Sequence, residues 1–386
     1  PARERCGWLG DANVVTEMAL WNYDAAAFWR KYLDDIETTR ARFGGLPAAI
    51  APGKRTCGAP ANPDWAAAFI LLPWYLYLHT ADVGVLARHH EGNRRLIEYF
   101  AEQANDWILK GGYGDWFDPG GDSIVSSTEP TVTTTLWFYR CAEVMSRGAT
   151  LLDQADDTRR YARWAESIRA AFVARYFDAA AGSFGSQTAD AMALRFGVVP
   201  EADRQRVADA IARDIADRGD NLHVGIMGVR YLFEVLSRFG QGDAALRVLR
   251  QDTYPGFGHL IARGATTCWE WWGEPRLNQT RGPRSRNHPM FAGYDNWFFN
   301  TLAGIEIDEH RPGFEHVFIT PRPIAGLDWV RAHHDTPRGR IAVSWSQSEG
   351  QIHWRIDLPD HTTATFTPPG EPEPMALSPG THEGAG

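Results

Sequence analysis

The chain has 386 residues, 44% hydrophobic and 23% charged, enough for one large globular domain and a small one. Its net charge is −9 and no cluster of Lys and Arg forms a phosphate-binding stripe, which argues against nucleic acid as a partner. No apolar run reaches the roughly 20 residues of a membrane span, and no basic segment followed by an apolar stretch marks a signal peptide.

Residue 1 is Pro rather than Met, from which we expect the chain to be a piece of something longer. Residues 3–11 read Arg3-Glu4-Arg5-Cys6-Gly7-Trp8-Leu9-Gly10-Asp11, so two carboxylates flank a Gly-Trp-x-Gly turn at the mouth of a helix. Apolar residues from Val14 to Ile36 recur at spacings of three and four and predict helix over 11–40. Pro63-Asp64 opens a second helix through Leu78, with Pro73 as an internal kink or break. A third covers 82–109 and ends at Gly111-Gly112, and Pro130 opens a fourth through Ser146. Further helices are predicted near 154–176, 188–195, 200–218, 223–238, 241–252 and 288–304.

The joints between them are rich in Gly, Trp and Asp, as in Tyr113-Gly114-Asp115-Trp116 and Tyr254-Pro255-Gly256-Phe257-Gly258. About ten helices so joined fit helical hairpins closed into a toroid, with a long bundle or an open solenoid as the alternative; no period of 30 to 45 residues repeats, which argues against a regular solenoid. After Ile305 short segments at 314–319, 328–333, 339–346, 351–357 and 362–367 turn to Val, Ile, Thr and Trp and predict a small all-β module, with a hairpin around Ser348-Glu349-Gly350. The Pro-, Gly- and Glu-rich tail, residues 371–386, is expected to be disordered.

Two segments suit acid–base chemistry. Glycoside hydrolysis needs two carboxyl groups across the scissile bond, one protonated and one ionised. Glu4 lies beside Trp8, whose apolar wall favours a protonated acid. Glu270 lies between Trp269 and Trp271 in Gly264-Ala265-Thr266-Thr267-Cys268-Trp269-Glu270-Trp271-Trp272 and makes a suitable partner. The 16 Trp residues suit a carbohydrate site, since indole faces stack on the C–H faces of sugar rings; core packing is the competing explanation for each. The four cysteines, Cys6, Cys57, Cys141 and Cys268, are scattered and read as free thiols, mostly buried. No zinc-ligand spacing is present, and no metal or cofactor is expected.

Residues 3–12, R-E-R-C-G-W-L-G-D-A, resemble the R-E-K/R-x-G-W-x-G-D signature of glycoside hydrolase family 78, the α-L-rhamnosidases, and G-A-T-T-C-W-E-W-W resembles that family's G-A-T-T-x-W-E-x-W. Tyr113–Trp116, Leu222–Ile226 and the stretch from Asn287-His288 to Gly304-Ile305 resemble further family segments in the same order. The resemblance implies a mainly α fold, an (α/α)6 barrel over 1–305 lacking its first helices, followed by a C-terminal β-sandwich over 306–370. It implies an inverting hydrolase that removes terminal non-reducing α-L-rhamnose from glycosides or polysaccharides, a carbohydrate being the only partner expected.

By position Glu4 corresponds to the general acid, Glu270 to the general base and Asp11 to an acid that binds rhamnose hydroxyls. A separation of about 6.5–9.5 Å between Glu4 and Glu270 is then expected. Asp115 and Trp116 are expected to line the pocket, or Asp115 to cap the next loop. His223 and His288 are candidates to bond sugar hydroxyls or the acids, and Trp8, Trp269 and Trp272 to stack on or wall the sugar. The family's further sugar-binding Asp would fall before Pro1, so inactivity of this chain as it stands is among the expectations, and Trp271 stands where the family often has Arg. Two other readings are a lyase on rhamnosyl-uronate chains, with Arg263, Arg276 or Arg286 neutralising the uronate, and a non-catalytic carbohydrate-binding fragment.

Overall fold

The computed structural model describes residues 5–53, 58, 60–119, 126–273, 285–348, 350–371 and 373–386. Eleven α-helices are found among them: α1 (Leu9–Asn22), α2 (Ala26–Arg40), α3 (Pro63–Thr80), α4 (Val83–Gln103), α5 (Pro130–Leu151), α6 (Ala155–Tyr176), α7 (Gln187–Arg195), α8 (Arg204–Asp217), α9 (Ile226–Arg238), α10 (Gly242–Arg250) and α11 (Phe257–Ala262). A 3₁₀ helix (Pro289–Asp295) and a π-helical turn (Phe298–Leu302) follow.

Contacts between elements close a ring. α1 packs on α3, α3 on α5, α5 on α7, α7 on α9, α9 on the 289–295 helix, and that helix on α1. The members of this inner ring are buried almost all round, as α3 is from Pro63 to Tyr77 and α9 from Ile226 to Ser237. The outer helices α2, α4, α6, α8 and α10 pack against the ring. They carry the one-sided stripe of surface helices: α8 buries Val207, Ala208, Ile211 and Ile215, and α6 buries Tyr161, Ala165, Ile168 and Phe172. An (α/α) toroid places its inner helices parallel, so their N-terminal ends share one face of the ring.

Local differences from the sequence expectations have physical causes. The helical signal over 11–40 is two helices broken at Tyr23–Ala25, because one segment faces the ring axis and the other the outside. Pro73 does not break α3; packing against α1, α2, α4 and α5 offsets the backbone bond it forfeits. Helix α11 is hidden in the sequence by Gly256 just before it and Gly258 in its first turn.

Eight strands complete the chain: β1 (Ile305–Ile307), β2 (His316–Ile319), β3 (Trp329–Thr336), β4 (Gly339–Ser348), β5 (Gln351–Leu358), β6 (Thr363–Phe366), β7 (Met375–Leu377) and β8 (Gly380–Ala385). They form two four-stranded sheets of order β1-β2-β6-β7 and β3-β4-β5-β8. Ile305, Val317, Ile319 and Phe366 of one sheet and Ile341, Val343, Ile356 and Leu358 of the other share one core, which Trp21 of α1 also enters. The tail expected to be disordered instead supplies β7 and β8, paired with β6 and β5. Edge strands draw on a neighbour's unpaired backbone groups, so low hydrophobicity does not bar them. Gly384 also leaves room for the Trp354 indole, which a Cβ would approach to 2.4 Å. Of the cysteines, Cys141 is buried, Cys6 and Cys268 are half-buried, all three are free thiols, and Cys57 lies outside the described residues.

Candidate active site

The Gly-Trp-x-Gly turn is laced onto the segment before α3. Ala51 N–H donates to Gly7 O at 2.7 Å and Leu9 N–H to Ala49 O at 2.9 Å, with a bridge between Trp8 and Ile50. Both glycines are required by close approach. A Cβ at Gly7 would lie 2.1 Å from the Ala51 carbonyl oxygen, and one at Gly10 would lie 2.2 Å from the Trp65 indole. The turn is thereby held at the N-terminal end of α1, with Trp8 half-buried and Asp11 in the first helical turn.

Buried aspartates tie successive loops at this same end. Asp64, in the first turn of α3, accepts Tyr113 N–H at 2.5 Å and Gly114 N–H at 3.1 Å; burial pushes it up to about 7 against the opposing pull of those donors. Asp115 accepts Gly225 N–H and Met227 N–H, each at 2.7 Å, and the Thr188 hydroxyl, and burial pushes it up to about 6. Asp190 of α7 accepts Phe184 N–H at 2.6 Å and is pushed up to about 7 by burial. Trp116 O accepts Ile226 N–H at 3.1 Å, so the loop before α5 is fastened to the start of α9.

The Glu270 segment pairs with the stretch entering the last inner element. Glu270 N–H donates to Ser285 O at 2.9 Å, His288 N–H to Cys268 O at 2.8 Å, and the Thr267 hydroxyl to Arg286 O. The Glu270 carboxylate, 4% exposed, accepts Ser285 N–H at 2.7 Å. His288 then closes the circuit: its Nδ1 accepts Met290 N–H at 3.4 Å and its Nε2 lies 3.3 Å from Asp11 Oδ1. Residues from the two ends of the helical region are thus brought together.

The candidate residues divide. Trp8, Asp11, Trp116, His223, Glu270 and His288 all lie in segments that enter inner helices at the shared N-terminal end. His223 is half-buried, its backbone N–H donates to Gln187 at 2.8 Å, and burial lowers its imidazole below the usual range, favouring the neutral form. Asp115 is corrected: fully buried, with its carboxylate closed over the start of α9, it is the loop cap rather than a pocket wall. Trp272 is likewise core, 2% exposed, packed between Phe257 and Phe291 and donating its indole N–H to Val224 O at 3.0 Å. Trp269 stacks on Trp271 at 5.1 Å and lies under the Arg286 guanidinium at 4.9 Å, so its ring faces meet protein. Glu4 lies outside the described residues, and with it the expected Glu4–Glu270 separation.

Trp65 was missed by the sequence reading. Its ring is 4.5 Å from that of Tyr113 and 5.8 Å from that of Trp116, and its buried indole N–H has no protein partner among the described residues. The Pro63-Asp64-Trp65 run at a helix start was the available signal.

The bacterial alpha-L-rhamnosidase 6 hairpin glycosidase domain matches residues 1–302, and the bacterial alpha-L-rhamnosidase C-terminal domain matches 304–383. A curated alpha-L-rhamnosidase of Formosa agariphila is 31% identical over 388 residues, covering 95% of this chain and 40% of the relative. The solved alpha-L-rhamnosidase from Dictyoglumus thermophilum has a TM-score of 0.90 and 30% identity, covering 99% of this chain and 46% of that one. The Streptomyces avermitilis alpha-L-rhamnosidase complexed with L-rhamnose has a TM-score of 0.87 and 28% identity, covering 99% and 38%. The chain therefore spans about two-fifths of the length of the curated relatives it matches.

Proposed function

Since the chain belongs to the bacterial α-L-rhamnosidases, glycoside hydrolase family 78, we propose that it is the catalytic region of an inverting hydrolase that removes terminal, non-reducing α-L-rhamnose. The observation that carries this reading is the His288 contact, which joins the Asp11 turn to the paired segments holding Glu270. In this reading Asp11, oriented by His288, accepts hydrogen bonds from the rhamnose hydroxyls. Trp8, Trp65 and Trp116 wall the sugar. Glu270 takes a proton from water as that water attacks the anomeric carbon. Glu4 gives its proton to the departing glycosidic oxygen. The C–O bond to the aglycone breaks as the bond to water forms on the opposite face, inverting the anomeric centre. His223 is available to a hydroxyl in its neutral form.

The test is hydrolysis of 4-nitrophenyl α-L-rhamnoside by the full-length protein. Glu270→Gln should lower kcat by about 10²–10⁴-fold, the usual contribution of a positioned acid or base, in a variant shown by circular dichroism to be folded. The first-formed rhamnose, followed by proton NMR, should be the β-anomer. Retention of configuration, or full activity in Glu270→Gln, would overturn the assignment. Ultraviolet absorbance from an unsaturated uronate would point to elimination instead, and rhamnose binding without turnover to a sugar-binding role.

A further inference from the structure

The sheet β3-β4-β5-β8 turns one face to solvent. Along it Trp329 of β3 stands across from Ser346 and His353, and Arg331 across from Ser344, Arg355 and Glu383. The central strand β4 thus presents only small serines between larger residues on β3 and β5. The result is a cleft of about 310 Å³, near the lower end of ligand-site volumes. A large aromatic side chain borders it in the open: Trp329 is 59% exposed.

The charges in the cleft are unevenly matched. Arg355 is held by Asp357, at 3.1 and 3.0 Å, and by Glu383. The Arg331 guanidinium has no carboxylate partner among the described residues, and instead lies 5.5 Å from the Trp329 ring centroid. His353 stands on the next strand, across Ser346 from Trp329. In a chain of net charge −9, this is a local cationic spot beside an open indole and two hydroxyls.

From this arrangement we propose that the outer face of the β-module is an accessory glycan-binding site for a polysaccharide segment that carries uronate residues. The Trp329 indole takes the C–H face of a sugar ring, Arg331 the carboxylate, and Ser344 and Ser346 the neighbouring hydroxyls. Charge complementarity selects a uronate over a neutral sugar, since the free guanidinium is the strongest polar group in the cleft. The module packs by His334 and Trp345 against Trp21 and Leu302, at the C-terminal ends of the inner elements, opposite the candidate active site. Helix α1 alone separates the two ends by about 20 Å, so this site holds the polymer and leaves the chemistry untouched. The proposal does not depend on the hydrolase reading.

Affinity electrophoresis through gels containing polygalacturonate, with dextran gels as the neutral reference, tests it. Wild type should be retarded by polygalacturonate and not by dextran, with retardation falling as salt rises, because the ion pair is exposed. Trp329→Ala and Arg331→Gln should each weaken retention by about tenfold or more while leaving 4-nitrophenyl α-L-rhamnoside hydrolysis unchanged. Both side chains are exposed, and circular dichroism establishes that each variant is folded; were Trp329→Ala to unfold, Arg331→Gln would decide alone. Unaltered mobility of wild type in polygalacturonate, equal retardation in dextran, or full retention by the folded variants would overturn the proposal. So would a dimer in sedimentation velocity that Trp329→Ala dissolves, which would assign this face to a second copy of the chain.

Discussion

At the scale of single residues, Gly10 shows how a motif is explained by contacts the motif does not contain. The Gly-Trp-x-Gly run is visible in sequence, but Gly10 is required by Trp65, more than fifty residues away. A methyl group there would enter the indole ring, and helix α1 and helix α3 would have to separate. Gly10→Ala gains the helix propensity of Ala, roughly 1 kcal/mol, which does not offset overpacking of this kind. The expected net loss is about 1–3 kcal/mol, read as a lower urea midpoint, with rhamnoside turnover falling as the turn shifts. A midpoint at or above wild type would show that the α1–α3 contact is slack. The same distance effect explains Asp115. Its Gly-Asp-Trp setting read as a pocket wall, whereas its donors, Gly225, Met227 and Thr188, come from segments remote in sequence.

Helix α9 shows what that carboxylate does at the scale of an element. The first N–H groups of a helix have no partner within it, and α9 is buried from its first residue. Asp115 supplies the acceptors. Asp115→Asn puts an N–H₂ group where one oxygen now receives a backbone N–H, leaving a buried donor unpaired at a cost of about 1–3 kcal/mol. The loss should be larger at acid pH. Burial raises the native Asp115 to about 6, so the wild-type contribution is whole below the unfolded carboxylate value near 3.8 and declines as pH rises through about 6. Denaturant unfolding of both forms at pH 5 and pH 8 measures this, and an equal gap at the two values would refute it. Elements with uninterrupted periodicity, such as α6 and α8, were legible from sequence because a buried stripe leaves a repeat. The strands β7 and β8 were not, because their order comes from pairing with β6 and β5 rather than from their own apolar content. In the candidate site, Glu270, Asp11 and His288 stood out by motif, but only the fold brings His288 within 3.3 Å of Asp11.

At the scale of the whole molecule, the joint between the helical ring and the β-module has its own titration. His79 of α3 and His334 of β3 lie with ring centroids 5.9 Å apart, packed edge-on to Trp21 and against Phe314. His334 Nδ1 lies 2.9 Å from Trp21 O, and Asp335 is the nearby carboxylate acting on it. For His79, burial lowers the imidazole from 6.5 to about 3, with the His334 charge acting the same way. The unfolded chain therefore takes up a proton near pH 6.5 that the folded joint refuses until about pH 3. Stability from this joint is complete above pH 6.5 and is lost as pH falls through that window, by up to roughly 1.4 kcal/mol per pH unit for each histidine. Asp64, Asp115 and Asp190 oppose this trend, since their native values are raised and their contribution declines as pH rises. The His79 effect is therefore read as a difference. His79→Phe keeps a ring among Trp21 and Phe314 and removes the proton site. Its stability relative to wild type should be constant above pH 7 and should rise steadily from pH 6.5 towards pH 4. A difference that does not change with pH would show that His79 accepts its proton without cost, and that the joint opens to water before the rest of the fold.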